Sequence, residues 1–156
     1  MKYPKNNDLE SFYTKCKNEL LDQKIRQNVV YPNGSIQPWD SDAIKAINEE
    51  LLKSISGNAN VYAIFVKGKN KRSFDLKYIG QTNSKYARTR LTNHLIKKHK
   101  KTGAKLKKVI EEVQAGSKIK VSWISIEPQS LRHYIEEELI KSHSSLEWNQ
   151  HGKTQA

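Results

Sequence analysis

Val61-Tyr62-Ala63-Ile64-Phe65-Val66 and Lys77-Tyr78-Ile79-Gly80-Gln81-Thr82 are two short apolar runs separated by a polar loop rich in Lys and Gly. Each has a tyrosine near its start, and together they read as adjacent strands of an antiparallel hairpin. The chain after the hairpin reads as its cover. Residues 84–98 have helical periodicity with Ala87, Leu91 and Leu95 inward. Thr102-Gly103 interrupts the pattern. Residues 104–114 then form a second helix, with Leu106, Val109, Ile110 and Val113 inward and Lys105, Lys107 and Lys108 outward. Residues 119–126 alternate as a third strand that stops at Pro128, and residues 129–142 form a last helix.

Before the hairpin the chain reads as helical. Leu9, Phe12, Tyr13, Cys16, Leu20 and Ile25 recur at helical spacing over residues 8–28, and Tyr31-Pro32-Asn33-Gly34-Ser35 has the chemistry of a turn. Asp40 or Ser41 then caps a helix running to about residue 55, with Ala43, Ile44, Ile47, Leu51 and Leu52 as its buried stripe. The expected fold is therefore α+β: a core of order β-β-α-α-β-α with a three-stranded antiparallel sheet, behind a helical extension. The boundary is placed near residue 58, giving an extension at 1–58 and a core at 59–156.

Length and charge narrow the function. The chain has 156 residues, enough for one compact domain or one domain with an arm. Its 28 Lys and Arg outnumber 16 Asp and Glu, for a net charge of +12, which suits a polyanion such as nucleic acid. The single Cys16 forms no internal disulfide and has no ligand cluster beside it, so a zinc site is not expected. Met1-Lys2-Tyr3-Pro4-Lys5 lacks the apolar stretch of a signal peptide and no run is long enough to span a bilayer, so the expectation is a cytoplasmic protein without a membrane partner.

Beyond the hairpin, Arg90-Leu91-Thr92-Asn93-His94 puts an arginine and a histidine on one side of a helix. Glu136-Glu137-Glu138-Leu139-Ile140-Lys141 and Trp148-Asn149 come later in the chain. The ordered series of Tyr, Tyr-Ile-Gly, Arg with His on the next turn, Glu and Asn resembles the GIY-YIG nuclease superfamily, and the likeness runs from about residue 60 to residue 149. It departs from the common pattern in three places. The first motif reads Asn60-Val61-Tyr62 and keeps only its tyrosine, the loop over residues 67–75 is long, and Gln81 stands where many relatives carry a lysine.

The resemblance implies a Mg²⁺-dependent endonuclease acting on DNA, of restriction or phage and mobile-element type, with Mn²⁺ as a substitute cofactor. It implies Tyr62, Tyr78, Arg90, His94, Glu136 and Asn149 as the catalytic set, Tyr62 as general base and Glu136 as the metal ligand. An unperturbed phenol titrates near ~10, so a base at neutral pH needs a cation to lower it or help from metal-bound water. Arg90 competes with Arg88, which fits the usual distance from the glycine; taking Arg90 leaves Arg88 as a phosphate contact. Family spacing selects Glu136, and the helical wheel sets it between Ile135 and Ile140 while leaving Glu138 in play.

Lys97, Lys98, Lys100 and Lys101, with Lys105, form a dense basic run directly after the catalytic helix, which fits a surface that tracks a phosphate backbone. Residues 1–58 lie outside the resemblance and read equally as a contact between copies in a homo-oligomer, a DNA-binding arm or a packing extension. The competing functional classes are a nucleic-acid-binding module that has lost turnover, and a nuclease acting on RNA or in repair.

Overall fold

The computed structural model describes residues 1–33, 36–97, 104–144 and 146–149. Its elements are α1 (Asn6–Leu20), β1 (Gln27–Val29), α2 (Ser41–Ile47), α3 (Glu49–Ile55), β2 (Val61–Lys67), β3 (Asp75–Gln81), α4 (Ala87–Leu95), α5 (Leu106–Gln114), β4 (Lys118–Ile124) and α6 (Leu131–Ser142). From β2 onward the order is β-β-α-α-β-α, and the class is α+β, as expected.

The sheet has four strands where the periodicity predicts three. Its order is β1-β4-β2-β3, every pair antiparallel, with short β1 completing the β4 edge. Residues 27–28, at the predicted end of the first helix, belong to this added strand. The helix stops at Leu20, a short turn succeeds it in which the Asp22 side chain accepts from Lys24 N, and the chain then pairs with β4. Val29 is the apolar residue this register turns inward.

Alternation along β2 and β4 divides the interior in two. Tyr62, Ile64 and Val66 face the same side as Ile119 and Val121, where α3, α4 and α5 supply Leu52, Ile55, Leu91, Leu95 and Val109. Val61, Ala63 and Phe65 face the other side and pack with Cys16 and Leu20 of α1 and Ile135 and Leu139 of α6. Both faces of the central strand are covered, which is why β2 reads as an unbroken apolar run rather than an alternating one. Each fully buried Ile or Leu in these layers contributes on the order of 2 kcal/mol.

A bulge in β3 decides where its tyrosine points. Ile64 pairs with Tyr78 but Phe65 pairs with Leu76, so Lys77 is the extra residue. Leu76 and Tyr78 therefore lie on opposite faces, although residues two apart on a regular strand share one.

The segment before residue 58 shares both apolar layers with the rest, since Leu20, Ile44, Leu52 and Ile55 are fully buried. Side chains also tie it in. Asn48 accepts from Val30 N at 2.9 Å and donates to Val30 O and Ile44 O at 2.8 Å each. This clamp sits at the junction of α2 and α3, where the periodicity predicts a single helix. The break leaves Ile47 exposed instead of in the buried stripe.

Tyr31 Oη donates to Leu95 O at 3.0 Å and Trp39 Nε1 to Ile96 O at 2.9 Å. Both carbonyls lie at the C-terminal end of α4, where the helix has no partners of its own. The N-terminal segment thus closes the helix that carries Arg90 and His94.

Candidate active site

Tyr62 lies on β2 opposite Gly80 of β3, and its ring crosses the glycine: a Cβ there would sit 2.5 Å from the Tyr62 Cζ and Oη. No side chain fits in that space. The glycine of the Tyr-Ile-Gly motif is needed because the tyrosine of the neighbouring strand fills its place. The ring is fully buried, and its hydroxyl meets His94 Nε2 at 2.8 Å.

His94 projects from α4, and its other nitrogen, Nδ1, accepts the backbone N–H of Lys105 at 3.0 Å. A backbone N–H can only donate, so Nδ1 carries no proton and Nε2–H donates to the Tyr62 oxygen. The Tyr62 hydroxyl proton is then directed elsewhere. Complete burial, with Arg90 and Lys105 nearby, pushes His94 down to about 3, so the ring is neutral. The imidazole is a fixed donor and does not change charge near neutrality.

Tyr78 completes the aromatic group, with its ring centroid 5.1 Å from that of His94 and 6.2 Å from that of Tyr62. Lys105 Nζ lies 5.7 Å from the Tyr78 centroid. Burial holds both phenols above their ordinary range. The Arg90 guanidinium is close enough to pull both down and Glu136 close enough to push both up, but neither outweighs desolvation.

Glu136 approaches from α6, which packs on β3 and β2. Desolvation first, then the neighbouring Glu137, raises its carboxyl to about 7. Its two neighbours differ. Glu137 and Glu138 both reach Lys141, at 3.6 and 3.5 Å, on the outer side of the helix. Of the three glutamates, the structure brings Glu136 to the tyrosines.

Asn149 supports from behind. It accepts from Ile79 N at 3.1 Å and donates to Ile79 O at 3.0 Å. β3 is the sheet edge, so Asn149 acts as a one-residue strand that satisfies the backbone between Tyr78 and Gly80.

The expected set Tyr62, Tyr78, Arg90, His94 and Glu136 therefore converges, with Asn149 bracing it. The expected DNA contacts fare differently. Arg88 Nη2 donates to both carboxylate oxygens of Glu49 on α3, each at 2.8 Å, so one of its terminal nitrogens is paired within the protein. Lys97 is exposed just beyond α4. Lys98, Lys100 and Lys101 lie outside the described residues. Lys105 belongs to the cluster itself through His94 and Tyr78, a placement that spacing along the chain does not reveal.

No protein-family model, no curated protein and no solved structure matches the chain. No helix among the described residues is long and apolar enough to cross a membrane.

Proposed function

We propose that the protein is a Mg²⁺-dependent endonuclease of the GIY-YIG type, hydrolysing phosphodiester bonds in DNA in a restriction-like or mobile-element setting. The observation that carries this reading is the meeting of Tyr62, Tyr78, Arg90, His94 and Glu136, drawn from β2, β3, α4 and α6, around one Tyr62–His94 hydrogen bond of 2.8 Å. A net charge of +12 supplies the attraction for a polyanionic substrate.

Glu136 is the residue that would hold the metal. Among the described residues no group of three or more His, Cys, Asp or Glu converges, so the fit is to an ion needing few protein ligands. Mg²⁺ is such an ion, binding through one or two carboxylates while keeping waters and taking substrate phosphate oxygens. Bound there, it would offset charge on the reacting phosphate and make water a better nucleophile.

The remaining roles come from the side chains. The planar, permanently charged fork of Arg90 suits two phosphate oxygens at once. Tyr62 accepts the hydrogen bond from His94 and lies within hydrogen-bonding reach of Tyr78 and Arg90, so its part in this reading is to order the group that meets the substrate. A phenol pushed upward by burial stays protonated at neutral pH, which argues against the base role expected for Tyr62. Tyr78 and Lys105 wall the group.

Incubation of supercoiled plasmid with the purified protein and Mg²⁺, with and without EDTA, tests the reading. Relaxed or linear product only when the metal is available is the expected result. Plasmid that binds but stays supercoiled across divalent ions and salt would favour a binding module that has lost turnover.

A further inference from the structure

Gln81, the residue after Gly80, pairs with Val61 in the β2–β3 register and so lies on the sheet face that α6 covers. Its Oε1 accepts from Arg132 Nε at 2.9 Å. Arg132 Nη1 also donates to Gln129 O at 3.0 Å, and the Gln129 side chain accepts from Ser84 N at 2.8 Å. The start of α6 is thereby fixed to the chain that leads from β3 into α4.

Arg132 precedes Glu136 by one helical turn, so the two share a face of α6. They do not close on each other. Among the described residues Arg132 has no carboxylate within 4.0 Å, and the causes that shift Glu136 are burial and Glu137, neither of them a cation. A half-buried guanidinium is thus held by the neutral amide of the residue after Gly80, with two of its five donors used by protein. A guanidinium meant only to brace a helix is better served by a carboxylate, and several lie on α6 itself. Holding it with an amide leaves its charge available to an anion.

We propose that Arg132 is a second phosphate contact for the bound strand, on the other sheet face from Arg90, and that Gln81 is its positioning residue. This rests on the nuclease reading. The contact places a permanent positive charge on the α6 side of the Tyr62–Gly80 crossing, opposite the charge that α4 supplies. The DNA backbone would then be gripped from both faces of the sheet edge.

Two substitutions test it against a purely structural tether. Arg132→Ala removes the charge and should weaken duplex binding by about tenfold or more and lower the slope of log affinity against log salt by about 0.9. Gln81→Glu is the decisive variant, because it replaces the amide with a carboxylate that pairs with Arg132. A tether would be strengthened by that change, leaving melting temperature, affinity and cleavage at or above those of the unaltered protein. A phosphate contact would be quenched, so affinity and salt slope should fall toward those of Arg132→Ala while the melting temperature holds.

Normal affinity and slope for Gln81→Glu overturn the inference, even if Arg132→Ala unfolds. Should the unaltered protein bind duplex but not cleave it, the nuclease reading fails and the salt slopes still decide Arg132. If it does not bind duplex DNA at all, both fall together.

Discussion

The ring of Tyr62 occupies the space where residue 80 would carry a side chain, with its hydroxyl 2.5 Å from an ideal Cβ on Gly80. The two motifs that stand out in the sequence are therefore the halves of one packing unit, joined across the β2–β3 register. Gly80→Ala must displace the tyrosine and break its bond to His94. Overpacking of this kind costs about 1–3 kcal/mol. The expected outcome is a lower melting temperature together with loss of plasmid cleavage; a variant that cleaves normally would show that the ring position is not needed.

Glu136→Gln should stop cleavage while leaving DNA binding intact or tighter, since it removes the charge proposed to hold the metal and one repulsion toward phosphate at nearly constant volume. Loss of one such transition-state contact costs about a hundredfold or more in rate. Glu137→Gln and Glu138→Gln, which each give up an exposed pair with Lys141, should be mild. Activity that survives in Glu136→Gln and dies in Glu138→Gln would move the metal ligand by two residues along α6.

The same carboxyl sets a pH dependence. Glu136 is raised from 4.5 to about 7, so between those values the folded protein binds a proton that the unfolded chain has lost. Its contribution to stability is present at acidic pH and is lost as pH rises toward and through 7. Metal-free protein carrying Glu136→Gln should therefore melt higher than the unaltered protein above pH 7, with the gap closing toward pH 5. Cleavage should rise over the same interval, as the carboxylate forms.

His94 has the opposite linkage. Its folded value of about 3 lies below the ordinary 6.5, so the unfolded state binds the extra proton in that window. The stability it contributes is complete above 6.5 and declines as pH falls toward 3. Nitrogen-detected NMR of the imidazole should show a neutral ring protonated at Nε2 from pH 5 to 9. A ring that titrates near 6.5 would contradict its burial between Tyr62 and the Lys105 amide.

Deleting residues 1–58 should leave a chain that does not fold. The deletion removes the β1 edge strand, the bonds of Tyr31 and Trp39 to the end of α4, and the buried side chains Leu20, Ile44, Leu52 and Ile55. At roughly 2 kcal/mol for each such side chain the loss rivals the whole stability of a small domain. A soluble truncated protein with native-like near-ultraviolet dichroism would show that the later segment stands alone. The milder Trp39→Phe should cost about 1 kcal/mol for the orphaned Ile96 carbonyl.

Replacing Lys97, Lys98, Lys100 and Lys101 by neutral residues should weaken DNA binding without changing site preference. Each lost phosphate contact lowers the salt slope by about 0.9 on duplex DNA. An unchanged slope would mean that these lysines only solvate the surface.

Local and periodic features were legible in the chain before any fold was known. The apolar runs of β2, β3 and β4, the inward faces of α4 and α5, and the alternation of Ile119, Val121 and Trp123 against Lys120, Ser122 and Ile124 each depend on neighbours a few residues apart, and the structure carries them. The catalytic candidates were legible because their order along the chain carries the likeness.

Contacts between distant residues emerged only with the folded chain. The strand at residues 27–29 forms because β4 offers an open edge, not because Gln27-Asn28-Val29 is a strong strand former. The break at Asn48 exists because its amide finds Val30, and the reversal of Leu76 against Tyr78 because one residue of β3 bulges. Arg88 meets Glu49, and Gln81 meets Arg132, through the packing of α4 on α3 and of α6 on β3. None of these pairings has a signature in spacing, because the energy of a buried hydrogen bond depends on which groups the folded chain brings within about 3 Å, and sequence separation does not encode that.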